Sequence, residues 1–157
     1  MSWQDYFKYN KRARCHRYKD RNIKVLPNNL PMPPINDFSE LFIGCEKLQD
    51  ITAPSNWNVS DVKKMTDMFF DCEQLQDITA LSNWDTSNVI DMGGMFWNCK
   101  RLKDITAPSN WNVSNVTNMM YMFAQCYQLQ DITALSNWDV SNVKNLKGVF
   151  WSCKHYA

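Results

Sequence analysis

A repeat of 27 residues constrains this chain more than any other feature of it. The stretch SNWDTSNVIDMGGMFWNC at 82–99 has counterparts at 55–72 (SNWNVSDVKKMTDMFFDC), 109–126 (SNWNVSNVTNMMYMFAQC) and 136–153 (SNWDVSNVKNLKGVFWSC). Trp57, Trp84, Trp111 and Trp138 keep the step, as do Cys45, Cys72, Cys99, Cys126 and Cys153, with no insertion between them. A fixed period in the range of roughly 20–50 residues marks a stacked array. In such an array each coil buries its apolar face mainly against its neighbours, so the usual size limits of a domain relax.

Each full repeat divides into two halves. In the first, Val89, Met92, Met95, Phe96 and Cys99 form an apolar stripe repeated at Val62 to Cys72, Val116 to Cys126 and Val143 to Cys153, which predicts an amphipathic helix. Ser60, Ser87, Ser114 and Ser141 stand just upstream as expected N-caps, with Asn58, Asp85, Asn112 and Asp139 as alternatives. In the second half, runs beginning at Leu48, Leu75, Leu102 and Leu129 predict one short strand per coil, stacked as a parallel sheet. The fold class expected is therefore an α/β solenoid with one helix and one short parallel strand per 27-residue coil.

The organisation expected has three parts. Residues 1–20 lie outside the repeat; Trp3, Tyr6 and Phe7 at helical spacing, followed by a basic run, predict an amphipathic basic capping helix. Residues 21–47 read as a degenerate first coil, with Phe38, Leu41, Phe42 and Cys45 in the places of Met65, Met68, Phe69 and Cys72, and Leu30 in that of Trp57. Residues 48–157 carry four coils, the last truncated with Tyr156 at an inward Leu position. An open last coil exposes apolar surface, so self-association through the C-terminal end is expected.

The net charge of +1 conceals an asymmetry: residues 1–35 carry +6 and the remainder −5. Lys8, Lys11, Arg12, Arg14, Arg17 and Lys19 form an electrostatic arm that could attract nucleic acid or an anionic membrane; burial of the neighbouring aromatics favours a cap instead. No apolar run approaches the ~18 residues of a membrane-spanning helix, and the N-terminus has no apolar core of the secretory type. Five of the six cysteines share one repeat position and read as a reduced, buried column rather than a disulfide framework.

The run W-[DN]-[VT]-S-[ND]-V-x-x-M-x-x-M-F-x-x-C-x-x-L-x-x-I resembles the BspA-like leucine-rich-repeat surface proteins, and more narrowly the mycoplasma-lipoprotein type of repeat, also called PARCEL. The likeness covers residues 37–153 clearly and 21–36 weakly. It implies a right-handed leucine-rich-repeat-like array without catalytic residues, in surface or secreted proteins that bind other proteins. Nothing in this chain marks it for export, and similar repeats occur in protists and large viruses, so an intracellular or virion-associated setting is the alternative.

The chemistry-bearing columns point the same way. Asp50, Asp77, Asp104 and Asp131 stack at one repeat position; like charges so placed repel, and the column is expected to turn to water, backbone amides or Lys103 rather than hold a metal. With His16 and His155 far apart, and no phosphate loop, zinc spacing or triad signature, no catalytic residue, cofactor or metal is expected. The function expected is a non-enzymatic protein-protein interaction module of adhesion type. Its face would be formed by Gln76, Asp77, Thr79, Lys103, Asp104, Thr106, Gln130, Asp131 and Thr133. The alternative is a structural or assembly component, virus-encoded for example, joined through the open C-terminal coil and the basic cap.

Overall fold

The computed structural model describes residues 2–154. Its regular strands are two, β1 (Phe7–Asn10) and β2 (Cys15–Tyr18), paired as an antiparallel hairpin with Phe7 opposite Tyr18 and Asn10 opposite Cys15. The helical segments are single 3₁₀ turns: Trp3–Asp5, Ala53–Asn56, Thr79–Leu81, Ala107–Asn110 and Thr133–Leu135. No α-helix occurs among the described residues. The expected α/β solenoid, a leucine-rich-repeat-like array with a helix and a parallel strand in every coil, is therefore corrected. So is the capping helix over residues 1–20, where the chain forms the hairpin.

The repeat is carried instead by turns and by hydrogen bonds between residues about one period apart. The stripe expected to be helical is the segment that bonds from layer to layer. Alternate amides from Met65 to Asp71 donate to the next repeat: Met65 to the Asp91 carbonyl at 2.9 Å, Asp67 to Gly93 at 2.9 Å, Phe69 to Met95 at 2.9 Å and Asp71 to Trp97 at 3.0 Å. The same four bonds run from Phe38–Gly44 to 64–70, from Met92–Asn98 to 118–124, and from Met119–Gln125 to 145–151. Isolated parallel bridges join Asp37, Lys64, Asp91, Asn118 and Asn145 in one column. All the bonds of this ladder run the same way, from amides of one layer to carbonyls of its C-terminal neighbour.

Two left-handed residues per layer make that geometry. Glu40, Asp67, Gly94, Tyr121 and Gly148 share one repeat position with φ between 55° and 63°, and Gly44, Asp71, Asn98, Gln125 and Ser152 share another with φ between 58° and 70°. A helix cannot pass through such residues. Between them the chain closes tight turns: the Met68 amide bonds the Met65 carbonyl, Phe70 bonds Asp67, Cys72 bonds Phe69 and Leu75 bonds Cys72. Each non-glycine residue held at positive φ costs about 1 kcal/mol or more. A net hydrogen bond returns about 1 kcal/mol, so the ladder and the packing beneath it are both needed to hold the segment.

The expected N-caps serve turns as well. The Ser60 amide and hydroxyl both donate to Asn58 Oδ1, at 3.1 and 2.7 Å, and Ser87, Ser114 and Ser141 have corresponding amide bonds to Asp85, Asn112 and Asp139. Asp37, Asp91, Asn118 and Asn145 accept likewise from Ser39, Gly93, Met120 and Lys147 two residues on. Asn and Asp side chains that capture a backbone N–H in this way compete directly with helix formation.

Inside the layers the phenylalanines form a spine. Phe42, Phe69, Phe96, Phe123 and Phe150 stack with centroids 5.4 to 5.7 Å apart and planes within 12° of parallel, the offset arrangement worth about 0.5–1.5 kcal/mol per pair beyond area burial. Met65, Met68, Met92, Met95 and Met122 are buried around it. Each repeated tryptophan reaches back one layer with its indole N–H: Trp57 to the Leu30 carbonyl, Trp84 to Pro54, Trp111 to Leu81 and Trp138 to Pro108, at 2.9 to 3.1 Å. The cysteines do the same, Cys72, Cys99, Cys126 and Cys153 donating to the carbonyls of Phe42, Phe69, Phe96 and Phe123. All six cysteines are unpaired and buried, and burial pushes their thiols well above the ordinary range.

The hairpin covers the first layer. Phe7 packs on Phe42 and Trp57, Tyr18 packs on Phe42, and the Tyr18 amide donates to the Leu41 carbonyl at 2.7 Å. Cys15 and Arg17 both reach Glu40, at 3.0 and 2.6 Å. Tyr156, expected at an inward position, lies outside the described residues.

Two predictions follow from the left-handed column. At Gly94 the Asp67 carboxylate occupies the place a Cβ would take. Gly94→Ala is expected to lose about 1 kcal/mol to backbone strain and about 1 kcal/mol more from displacing that carboxylate. In an Asp67→Ala background only the first loss should remain; strict additivity in urea denaturation would refute the packing relation. Asp67 is also pushed up to about 6 from 3.8, by burial first and then by Glu40, Asp91 and Asp71. Because the folded state holds the proton more tightly, stability should fall as pH rises from about 4 to about 6 and then level off. Partial exposure reduces the loss to about 1 kcal/mol. Asp67→Asn should lack this component when denaturation midpoints are compared at about pH 4 and about pH 7.

Candidate interaction surface

The nine residues expected to form a partner-binding face are all exposed: Gln76, Asp77 and Thr79, then Lys103, Asp104 and Thr106, then Gln130, Asp131 and Thr133. They recur in successive layers at equivalent repeat positions. They do not sit on strands, because the runs after Leu48, Leu75, Leu102 and Leu129 form none, and a single bridge, Val25 to Asp50, is the parallel pairing found there among the described residues. The Leu and Ile positions are nevertheless buried through Leu75, Ile78, Leu102 and Ile105. The chain thus alternates inward and outward here without strand pairing across layers.

The carboxylate column is held by local turns. Asp77 Oδ1 accepts the Thr79 amide at 2.8 Å, Asp104 the Thr106 amide at 2.8 Å, and Asp131 both the amide and the hydroxyl of Thr133, at 2.9 and 2.6 Å. Asp50 and Thr52 repeat the pattern. The threonine hydroxyl, then its amide, lowers the Asp50 and Asp131 carboxyls below the usual range. In all four, one carboxylate oxygen is engaged by the residue's own turn. A shallow groove of about 270 Å³ runs between Asp50, Thr52, Asp77 and Thr79. No cluster of His, Cys, Asp or Glu suited to a metal ion occurs among the described residues.

The basic arm is placed on the hairpin. Lys8, Lys11, Arg12, Arg14 and Lys19 are exposed, whereas Arg17 is half-buried in its ion pair with Glu40. The hairpin also forms a feature that sequence reading missed. A cleft of about 670 Å³ opens between Tyr9, Arg14 and His16 on one side and Ile35, Asp37 and Asp61 on the other. Its walls come from segments far apart in sequence and only one of them belongs to the full repeat, so no periodic signal marks it.

Cys15 and His16 lie together in the cleft lining, yet their states do not suit nucleophilic chemistry. Burial, then the hydrogen bond to Glu40, pushes the Cys15 thiol up to about 12, so it stays protonated and is a poor nucleophile. His16 packs edge-on against Trp3 and tilts against Tyr9, with centroids 5.1 Å away in each case, and burial lowers its pKa. His155 lies outside the described residues. What this chain presents is therefore a repeated, charged and hydroxyl-bearing surface on an internally bonded stack.

No helix among the described residues is long and apolar enough to cross a membrane. No curated protein and no solved structure matches the chain. The family described as "Mycoplasma protein of unknown function, DUF285" matches it twice, over residues 17–107 and again over 77–157. Together those matches span residues 17–157, and the chain belongs to that family.

Proposed function

We propose that this chain is a non-enzymatic protein-binding module of the BspA-like kind, engaging its partner through the exposed row of Gln, Asp, Lys and Thr side chains. The observation that carries this reading is the row itself. Asp77, Asp104 and Asp131 are oriented in register by identical turns, which spares a partner the cost of ordering them. Around them, Gln76 stands where the next layer has Lys103 and the following one Gln130. The turn is constant and its flanking residue varies, an arrangement suited to recognition of an extended protein surface.

The test is a partner captured with the full chain, identified, and then measured by titration against a variant carrying Gln76→Ala, Lys103→Ala and Thr106→Ala. These side chains are exposed, so the melting temperature should change little while affinity falls by about tenfold or more. Unchanged affinity with the fold intact would remove the row from the interface. A similar fall for a variant neutralised only at Lys8, Lys11 and Arg12 would move the interface to the hairpin.

A further inference from the structure

The pairing of the hairpin sets like charges against each other. Lys8 stands directly opposite Arg17 in the β1–β2 register, an arrangement that costs stability in a sheet. Lys19 follows two residues after Arg17, its amide extending the pairing to the Tyr6 carbonyl at 2.8 Å, and Arg21 follows two after that. These four cations line a small pocket of about 210 Å³. The residues that complete the lining, Tyr9, Asn10 and Tyr18, are neutral, so every charged group around the pocket is cationic.

Nearby carboxylates leave most of that charge open. Arg17 is paired with Glu40, Nη2 to Oε1 at 2.6 Å, yet its Nε–H is buried with no acceptor, so the guanidinium remains under-satisfied. Among the described residues, Lys8, Lys19 and Arg21 form no ion pair. Asp5 and Asp20, acids close to them in sequence, accept instead from the Ser2 and Asn22 amides, at 2.8 and 3.0 Å. Three positive charges without a carboxylate partner thus share one concavity.

The first layer holds two of these cations in place. Arg17 is anchored by Glu40, and the Arg21 guanidinium lies where a Cβ on residue 44 would stand. Gly44 is the one glycine of its left-handed column, whose other members are Asp71, Asn98, Gln125 and Ser152. The backbone accepts a side chain at this position in every later layer, so the glycine makes room for Arg21. A guanidinium seated in this way presents a planar fork that matches the oxygens of a phosphate and loses less freedom when it binds one.

We propose that the hairpin pocket is a binding site for a phosphate monoester group, held by Arg21 and Arg17 with Lys8 and Lys19 adding charge. The pocket is smaller than the roughly 300 Å³ at which sites for drug-sized ligands begin, so it takes the anionic group while the rest of the ligand stays outside. A monoester carries about −1.5 to −2 at pH 7 and therefore offsets more of the open charge than a diester or a carboxylate. This site is independent of the Asp and Thr row.

The probe is inorganic phosphate, titrated at constant ionic strength into the isotopically labelled full chain. The Lys8, Arg17, Lys19 and Arg21 amide signals should shift and saturate at about millimolar phosphate, and chloride should not move them. Two variants should each weaken binding by about tenfold with little change in melting temperature: Lys8→Gln at an exposed side chain, and Gly44→Asn, a residue the column already carries at Asn98. Lys11→Gln combined with Arg12→Gln, on the hairpin turn outside the pocket, should leave binding unchanged. Phosphatidylcholine vesicles carrying phosphatidic acid, a monoester, or phosphatidylglycerol, a diester, at equal charge identify the source. Binding to phosphatidic acid that depends on Lys8 assigns a lipid headgroup, and phosphate binding without vesicle binding assigns a soluble monoester. Three outcomes would overturn the proposal: no saturable shift at about 10 mM phosphate, full affinity in both Lys8→Gln and Gly44→Asn, or equal binding to the two kinds of vesicle.

Discussion

The ladder of amides that bonds each repeat to the next is the interaction on which everything else depends. It requires that residues 26 apart meet in every layer, at Phe38 and Lys64, at Met65 and Asp91, at Met92 and Asn118 and at Met119 and Asn145. A single inserted residue in one repeat would shift its donors off their acceptors and move the inward side chains outward together. The unbroken 27-residue step is thus a geometric condition of the stack. The conformation that meets it carries two left-handed residues per layer, so the repeat tolerates Glu, Asp, Asn, Gln, Tyr and Ser there as well as Gly.

Side chains repeat the same logic beneath the backbone. Trp, Cys and Asn each donate to a carbonyl of the preceding layer, as at Trp111 to Leu81, Cys99 to Phe69 and Asn115 to Ser87. These carbonyls are available because no continuous sheet or helix consumes them. A turn-rich chain would otherwise leave many polar backbone groups unpaired inside a fold, and each orphan would cost as much as several good contacts return. The column of cysteines has a structural role of this kind: each buried thiol donates to the carbonyl of the phenylalanine one layer before.

The period, the inward residues and the reduced state of the cysteines were legible in the sequence, because burial at a fixed step leaves a direct mark on composition. The backbone conformation was misread, and the reason lies in the spacing. Val62, Met65, Met68, Cys72, Leu75, Ile78, Leu81 and Trp84 advance almost uniformly by three residues. On an α-helix each step of three turns back by 60°, so the run would wind around the cylinder instead of forming a stripe. A helical face needs regular steps of four, and one alone interrupts this run, between Met68 and Cys72. Steps of three suit consecutive tight turns, whose first and fourth residues lie close together. The D/N-x-S/T triplets carried the same information, since Asn58, Asp85, Asp104 and Asp131 all close turns on the residue two ahead. The cleft beside the hairpin left no such mark, because tertiary approach of Tyr9 and Arg14 to Asp37 and Asp61 obeys no period.

These constraints divide the chain between what must stay and what is free to vary. At an inward position the side chain is fixed from both sides, by the layer before and the layer after; replacing Phe96 would disturb Phe69 and Phe123 together. At outward positions such as Asp77 and Asp104 the side chain is held by its own turn. The alternation of Pro54 and Pro108 with Leu81 and Leu135 shows how much room even the turn allows, since either residue presents the carbonyl that the next tryptophan needs. Side chains such as Gln76 and Lys103 can therefore change without touching the stack, because the bonds between layers point inward or along the axis. A fold held by layer-to-layer bonds keeps its scaffold and its exposed row on different residues, and the motif that identifies the chain lies almost wholly on the scaffold side.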